Sequence, residues 1–123
     1  MEFDQISNRV IGCAIDVHKS LDPGLLESAY EKCLSFELTN AGISHDVQQE
    51  LPVEYKGMKL DCGYRTDIII ENELVIELKT VDKILPIHEA QLLTYMKLSG
   101  IRAGLLINFN VCKLKDGIKR FVL

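Results

Sequence analysis

Three charged side chains, Asp67, Glu77 and Lys79, border the apolar runs of one stretch of the sequence, RTDIIIENELVIELKT at residues 65–80. Asp67 precedes the run of isoleucines, whereas Glu77 and Lys79 lie one residue apart near the end of the stretch. Carboxylates are hard oxygen ligands, and Mg²⁺ typically binds one or two of them together with water and phosphate. A lysine beside such a metal can orient a water molecule and stabilise developing negative charge. These residue types suit metal-assisted hydrolysis of a phosphodiester.

A hairpin would bring the three charges together. Side chains alternate along a strand, so Glu77 and Lys79 share one face and the apolar residues around them take the other. With a turn at Glu71-Asn72, Asp67 lies close to the position opposite Glu77. Two simpler interpretations compete with this one. An isolated E-x-K triplet is most often a solvated strand face, and Asp67 alone could bond its own backbone at a strand end.

A fourth carboxylate, Glu27, falls within the apolar arc of a predicted helix. At about 100° per residue, Glu27 projects between Leu34 and Leu38. A carboxylate on an apolar face is costly unless it is paired or bound to a metal. Its place in the first turn also suits a favourable contact with the helix dipole, so both interpretations stay open.

A later helix, predicted at 86–99, carries uncharged polar side chains along one stripe. His88, Gln91 and Tyr95 lie within about 60° of one another on a helical wheel. Such groups suit a partly buried site that holds a phosphate or orients a water molecule. A satisfied buried hydrogen-bond network is the competing interpretation, and for His88 alone it is the better one.

Two helices are predicted before the charged stretch. Residues 3–20 have helical apolar spacing, which LDPG then breaks. A second helix is predicted at 24–41, where Gly42 ends it. Turn signals then separate the predicted extended segments, which lie at about 44–55, 58–70 and 73–80.

The end of the chain predicts one more helix, a buried strand and a hairpin. Pro86 opens the helix and Gly100 closes it, and AGLLINF is typical of a strand buried on both faces. Segments 111–115 and 118–122 predict a hairpin that turns at Asp116-Gly117. The helix before AGLLINF lets that strand join its neighbour in parallel. The order predicts an α/β fold with a mixed sheet flanked by helices.

The 123 residues are expected to form a single domain, residues 1–123. A net charge of −4 argues mildly against a protein that coats nucleic acid non-specifically, although a carboxylate site stays negative until its metal binds. The four cysteines lack CxxC and zinc-finger spacing, which favours reduced thiols and a cytoplasmic location. No apolar run is long enough to cross a bilayer, so no membrane association is expected.

These motifs resemble those of a known family. GLLESAY, residues 24–30, is similar to the G-x-x-E-x-x-Y signature of the small bacterial and archaeal GxxExxY proteins, which belong to the PD-(D/E)XK nuclease superfamily. The resemblance runs from about residue 5 to 122 and includes YRTDIIIENELVIELKTVDKI, HEAQLLTYMKLSG and GLLINFN. It implies a restriction-endonuclease-like core of order α-β-β-β-α-β, followed here by the predicted C-terminal hairpin.

The resemblance also implies a catalytic role for four residues. Asp67 resembles the metal-binding Asp of the superfamily, and Glu77 and Lys79 resemble its E-x-K. Glu27 resembles the acidic residue that the first core helix contributes. The metal ligands implied are therefore Asp67, Glu77 and Glu27, with Lys79 beside the attacking water.

Substrate contacts are implied for three further residues. Gln91 and Tyr95 resemble the Q-x-x-x-Y motif of the exonuclease-like branch. Arg65 is a candidate phosphate contact, although a structural salt bridge explains it equally well. Thr66 replaces the proline of the nominal P-D pair, at a position that varies in the superfamily.

The leading hypothesis is a nuclease that depends on Mg²⁺, or alternatively Mn²⁺, and hydrolyses phosphodiester bonds in DNA. RNA stays open as a substrate, and a homodimer is expected because symmetric dimers are the commonest oligomers. The alternative is a catalytically inactive module of the same fold that binds nucleic acid or a protein partner. Its candidate phosphate contacts, or else a solvated face, are Lys113, Lys115, Lys119 and Arg120. A purely structural ion network is a third interpretation.

Overall fold

The chain alternates helices and strands around one larger sheet. The structure is a computed structural model that describes residues 2–123, with side chains from residue 5 onward. The elements are α1 (Glu2–Leu21), α2 (Glu27–Asn40), β1 (His45–Glu50), β2 (Val53–Tyr55), β3 (Met58–Leu60), β4 (Arg65–Ile70), β5 (Leu74–Lys79), α3 (Pro86–Ser99), β6 (Ala103–Asn108), a 3₁₀ turn (Leu114–Gly117) and β7 (Ile118–Val122).

The larger sheet has five strands in the order β1-β4-β5-β6-β7. β1, β4 and β5 form an antiparallel meander, β6 joins β5 in parallel, and β7 returns antiparallel to β6. A parallel neighbour requires a crossover connection, which α3 supplies between β5 and β6. The predicted mixed sheet flanked by helices is therefore confirmed.

Helices cover both faces of this sheet. Alternate residues of β5 enter different apolar clusters, as the strand pattern predicts. The cluster that includes α1 and α2 contains, among others, Val10, Ala14, Tyr30, Leu34, Leu38, Ile68, Leu74, Ile76 and Leu78. The cluster that includes α3 contains Leu51, Ile69, Val75, Leu92, Tyr95, Met96, Ile101 and Leu106. The predicted alternation of Leu74, Ile76 and Leu78 is confirmed.

The predicted extended segments 44–55 and 58–70 are each broken in two. β1 ends at Glu50 because Pro52 has no N–H to continue a ladder. β3 ends before a turn in which Gly63, with φ +75°, donates its N–H to Asp61 Oδ1 at 3.1 Å. The pieces between these breaks, β2 and β3, pair with each other as a separate hairpin.

The predicted C-terminal hairpin is wrong in its first strand. Segment 111–115 is not extended, because Leu114 turns inward and is 4% exposed in the core beneath α1. The chain returns tightly at Gly117, whose position approaches the backbone oxygen of Asn108. β7 consequently pairs with β6 and extends the main sheet.

Two predictions from the sequence concern the state of the cysteines and the absence of a membrane-spanning helix. All four cysteines are free thiols, and Cys33 is partly buried as the helical pattern indicates. Within residues 2–123, no helix is both long and apolar enough to span a membrane.

Candidate active site

The ladder between β4 and β5 stops just before Asp67 and Glu77. Its last backbone pair joins Ile68 to Ile76, so the next position sets Asp67 opposite Glu77. At this position the two carboxylates, and not backbone oxygens, accept the backbone N–H groups. Leu78 N–H donates to Asp67 Oδ2 at 2.8 Å, and Asp67 N–H donates to Glu77 Oε1 at 3.2 Å. Each carboxylate thus accepts a backbone N–H from the opposite strand.

Burial dominates the electrostatics of this pair. Glu77 is only 4% exposed, so a solvated strand face does not describe it. Desolvation and then repulsion from Asp67 raise the pKa of Glu77 to about 8, although Thr66 donates its hydroxyl to Glu77 Oε1 at 3.3 Å. Desolvation also raises the pKa of Asp67. Two buried carboxylates are costly to ionise together, and a bound cation would offset that cost.

Lys79 connects these carboxylates to α3. Its Nζ donates to Gln91 Oε1 at 3.2 Å, and the Gln91 side chain is close enough to the hydroxyl of Tyr95 to lower its pKa. The ammonium lowers the pKa values of Asp67 and Glu77 against the larger effect of burial, which places it close to both. Burial and then Glu77 raise the pKa of Tyr95. The structure therefore brings Gln91 and Tyr95 to the same cluster as the E-x-K pair.

His88 and Arg65 lie outside the cluster. His88 Nδ1 accepts the N–H of Leu85 at 3.0 Å, so His88 caps the start of α3. Arg65 donates to Glu50 at 3.0 Å on the surface shared by β1 and β4. The salt bridge given as the alternative for Arg65 is therefore observed, whereas His88 caps a helix and does not join the buried network given as its alternative.

The stretch GLLESAY forms a turn followed by the start of α2. Gly24 has φ +111°, a conformation that side chains with a Cβ rarely adopt. The hydroxyl of Tyr30 donates to Asp22 O at 2.6 Å and accepts the N–H of Leu25 at 3.1 Å, which fixes the turn. The helix consequently begins at Glu27, three residues later than predicted. The spacing of Gly, Glu and Tyr thus has a structural cause.

Tyr30 also attaches the start of α2 to the end of β5. Its ring stacks on Phe109, with 4.4 Å between the centroids and 9° between the ring planes. Phe109 N–H in turn donates to Lys79 O at 2.9 Å. These contacts hold Glu27 close enough to Lys79 for the ammonium to lower the pKa of Glu27, against desolvation that raises it.

Glu27 itself is exposed at the mouth of a cavity and is not held within an apolar arc as predicted. Of the residues on that arc, only Tyr30, Leu34 and Leu38 are buried, while Leu26 is 77% exposed. The cavity measures about 330 Å³ and is lined by Glu27, Ser28, Glu31, Gln48, Asp67 and Leu78. Glu27 and Asp67 therefore face one space, although they come from different elements.

Sequence reasoning missed Glu31 and Gln48, which are hydrogen-bonded to each other in this cavity. Glu31 lies one helical turn after Glu27, so the i,i+4 spacing alone would have indicated it. Gln48 Nε2 donates to Asp67 Oδ1 at 3.2 Å and also to Glu31 Oε1. No feature of the sequence around Gln48 signals that role.

A divalent metal fits the chemistry of the donor set. Asp67 lines the cavity and donates its N–H to Glu77, so both residues supply hard oxygen atoms close to one another. Mg²⁺ usually combines one or two such ligands with several waters. Among residues 5–123, no group of three or more His, Cys, Asp or Glu side chains is already arranged to hold an ion. The structure brings Asp67 and Glu77 together but does not add Glu27 to them as a third preformed ligand.

Comparison with known proteins agrees with this fold. A crystal structure of a protein called SSO0001 is 29% identical to this chain, with a TM-score of 0.51 over 77% of this chain and 48% of that one. This chain thus spans about half the length of that protein. Among curated proteins, none matches significantly. The family model of the PD-(D/E)XK nuclease superfamily matches residues 4–121. That match covers nearly the whole sequence, and the chain therefore belongs to the PD-(D/E)XK nuclease superfamily.

Proposed function

We propose that this chain is a Mg²⁺-dependent nuclease that hydrolyses phosphodiester bonds in DNA, with Mn²⁺ able to replace Mg²⁺. The observation that carries the proposal is the reciprocal Asp67–Glu77 pair with Lys79 at the end of the same strand. Nucleases of this superfamily generally depend on a divalent metal. GLLESAY further supports membership of the GxxExxY group.

Asp67 and Glu77 would hold the metal, and Glu27, which lines the same cavity as Asp67, would complete the ligand set. A bound divalent cation supplies Lewis acidity toward the phosphate and activates water at neutral pH. For this both carboxylates must be ionised, and Lys79 favours that form because its ammonium lowers their pKa values.

Lys79 would orient the attacking water and stabilise the negative charge that develops on the phosphate oxygens. Gln91 holds the ammonium through its Oε1 and links it to Tyr95. Gln91 and Tyr95 would therefore keep Lys79 in one orientation and contact the scissile strand. Arg65 contributes less in this account, because Glu50 already engages its guanidinium.

The alternative of an inactive binding module has weaker support. Its basic surface was predicted on a C-terminal hairpin, and residues 111–115 do not form that strand. Lys119 pairs with Glu89 at 2.7 Å, and Arg120 donates to Asn8 at 2.7 Å. These side chains already have partners within the protein.

Three further proposals concern partners and location. RNA in place of DNA would be revealed by offering both substrates in one assay. A homodimer would be revealed by sedimentation at several protein concentrations. A cytoplasmic location, suggested by four free cysteines, would be tested by cell fractionation.

The test of the activity is cleavage of single- and double-stranded DNA by purified protein with Mg²⁺ or Mn²⁺. Wild type is compared with Lys79→Ala and Glu77→Ala, and with Lys97→Ala as a control at an exposed lysine of α3. We expect wild type and the control to cleave and the other two variants to fail. Equal cleavage by all four proteins would mean that a contaminant cleaves the DNA, and it would refute the proposal.

A further inference from the structure

Strand β1 is distorted at one residue, and that residue faces Asp67. Gln48 has φ +53°, in the left-handed region that residues with a Cβ seldom occupy. The register of β1 and β4 pairs the neighbours of Gln48 with the neighbours of Asp67 but omits Gln48 and Asp67 themselves. On the other side, the β4–β5 ladder ends one residue away, at Ile68. Both ladders that flank Asp67 are therefore interrupted at the same row.

The distortion directs the side chain of Gln48 into the cavity. Its Nε2 donates one hydrogen bond to Asp67 Oδ1 at 3.2 Å and another to Glu31 Oε1. The other oxygen of Asp67, Oδ2, accepts the N–H of Leu78 at 2.8 Å. The carboxylate is thus held by one donor from β1 and one from β5. A carboxylate has about four acceptor sites, so capacity remains for a metal.

We propose that Gln48 is a positioning residue, which fixes the rotation of the Asp67 carboxylate for metal binding while Glu31 anchors the Gln48 amide. This inference rests on the proposed function, because it gives Asp67 the role of a metal ligand. Backbone conformations this unfavourable persist where the surrounding structure enforces them, and they concentrate at functional sites. Partners that hydrogen-bond a ligating carboxylate typically contribute about 10- to 100-fold in metal affinity or activity.

A purely structural role for Gln48 makes a different prediction. If the distortion served only the shape of the sheet, replacing Gln48 would change stability and leave metal affinity unaltered. Gln48→Gly separates the two roles, because glycine accepts the positive φ without strain and removes the side chain that carries the amide. Lys56→Gly is the matched control, since Lys56 also has a positive φ, of +50°, in the exposed turn between β2 and β3.

The experiment is a calorimetric titration of Mn²⁺ into wild type, Gln48→Gly and Lys56→Gly, after circular dichroism has shown that each is folded. Wild type and Lys56→Gly should bind with equal affinity, and Gln48→Gly about 10- to 100-fold more weakly. At saturating Mn²⁺, cleavage by Gln48→Gly should recover toward the wild-type rate. Gln48→Asn is the second variant should the glycine protein fail to fold. Asparagine tolerates positive φ, but its side chain is too short to reach both carboxylates.

The two possible failures are distinguishable. Unchanged Mn²⁺ affinity in a folded Gln48 variant would overturn the positioning role and leave the proposed function standing. Absence of Mn²⁺ binding by wild type would overturn the proposed function, and this inference with it.

Discussion

Asp67 and Glu77 each accept a backbone N–H from the other's strand across the end of the β4–β5 ladder. Leu78 N–H, next to Glu77, donates to Asp67 Oδ2 at 2.8 Å, and the N–H of Asp67 itself donates to Glu77 Oε1 at 3.2 Å. These hydrogen bonds hold two carboxylates in a largely buried place, where charge is costly.

The first prediction concerns pH in the absence of divalent metal. The pKa of Glu77 is raised from 4.5 to about 8, so the native state keeps a proton that the unfolded state releases. The free energy of unfolding should therefore fall as pH rises from 4.5 to about 8. We expect a loss of more than about 1 kcal/mol, since one pKa unit corresponds to about 1.4 kcal/mol.

Urea unfolding at pH 5 and pH 8 in a chelator measures this loss, with both pH values chosen inside the interval. Glu77→Gln should flatten the dependence and exceed wild type in stability at the higher pH. Glu54→Gln, on the exposed strand β2, is the control and should keep the wild-type slope. If the unfolding free energy of Glu77→Gln fell with pH as steeply as that of wild type, the raised pKa would not belong to Glu77.

The second prediction separates metal binding from chemistry. Lys79→Met should bind metal but cleave about 100- to 1000-fold more slowly, as is typical when a group that stabilises transition-state charge is removed. Gln91→Ala should have a smaller effect, because it removes only the acceptor that holds Lys79. Single-turnover cleavage at saturating metal gives both rates. A Gln91 variant slower than the Lys79 variant would reverse the roles assigned here.

The third prediction concerns the turn before α2. Tyr30→Phe removes the hydroxyl that bonds Asp22 and Leu25 but keeps the ring stacked on Phe109. We expect a loss of about 1–2 kcal/mol in unfolding free energy, from two hydrogen bonds of about 1 kcal/mol each. Thermal unfolding checks it beside Tyr55→Phe, whose residue is 56% exposed. Equal melting temperatures of the two variants would refute the role of the hydroxyl.

The fourth prediction compares two glycines. A Cβ at Gly117 would lie 2.2 Å from the backbone oxygen of Asn108, whereas one at Gly104 would meet the flexible Met96 Sδ at 2.7 Å. Gly104→Ala should cost about 1–3 kcal/mol, as overpacking usually does, and Gly117→Ala should cost more. Asn108 bonds Val81, just beyond Lys79, so its displacement should also slow cleavage. Urea unfolding of both variants ranks them, and the opposite order would disprove the packing argument.

The pairing of Asp67 with Glu77 was predictable because it depends on local rules. Alternation along β5 and a turn at Glu71-Asn72 bring Asp67 close to Glu77, within one residue of the observed register. Both turn residues have positive φ, of 49° and 56°, but Ile70 pairs with Leu74, so Glu73 is a third loop residue and sets Asp67 opposite Glu77.

The rest of the cavity depends on contacts between distant segments. Gln48 acts through a strained backbone and through pairing with a strand 19 residues later, and a lone glutamine indicates neither. The strand predicted at 111–115 is wrong for a similar reason. Leu114 alternates correctly for a strand, but burial beneath α1 determines its conformation. Tertiary packing there overrides local propensity.

The central claim is that Asp67 and Glu77 form a divalent-metal site, and calorimetric titration of Mg²⁺ tests it most directly. Wild type and Asp67→Asn are titrated under one condition, with Asp46→Asn, on β1, as the control. The account predicts that wild type and the control bind Mg²⁺ and that Asp67→Asn binds it more weakly. Absence of binding by wild type, or equal affinity in Asp67→Asn, would contradict it.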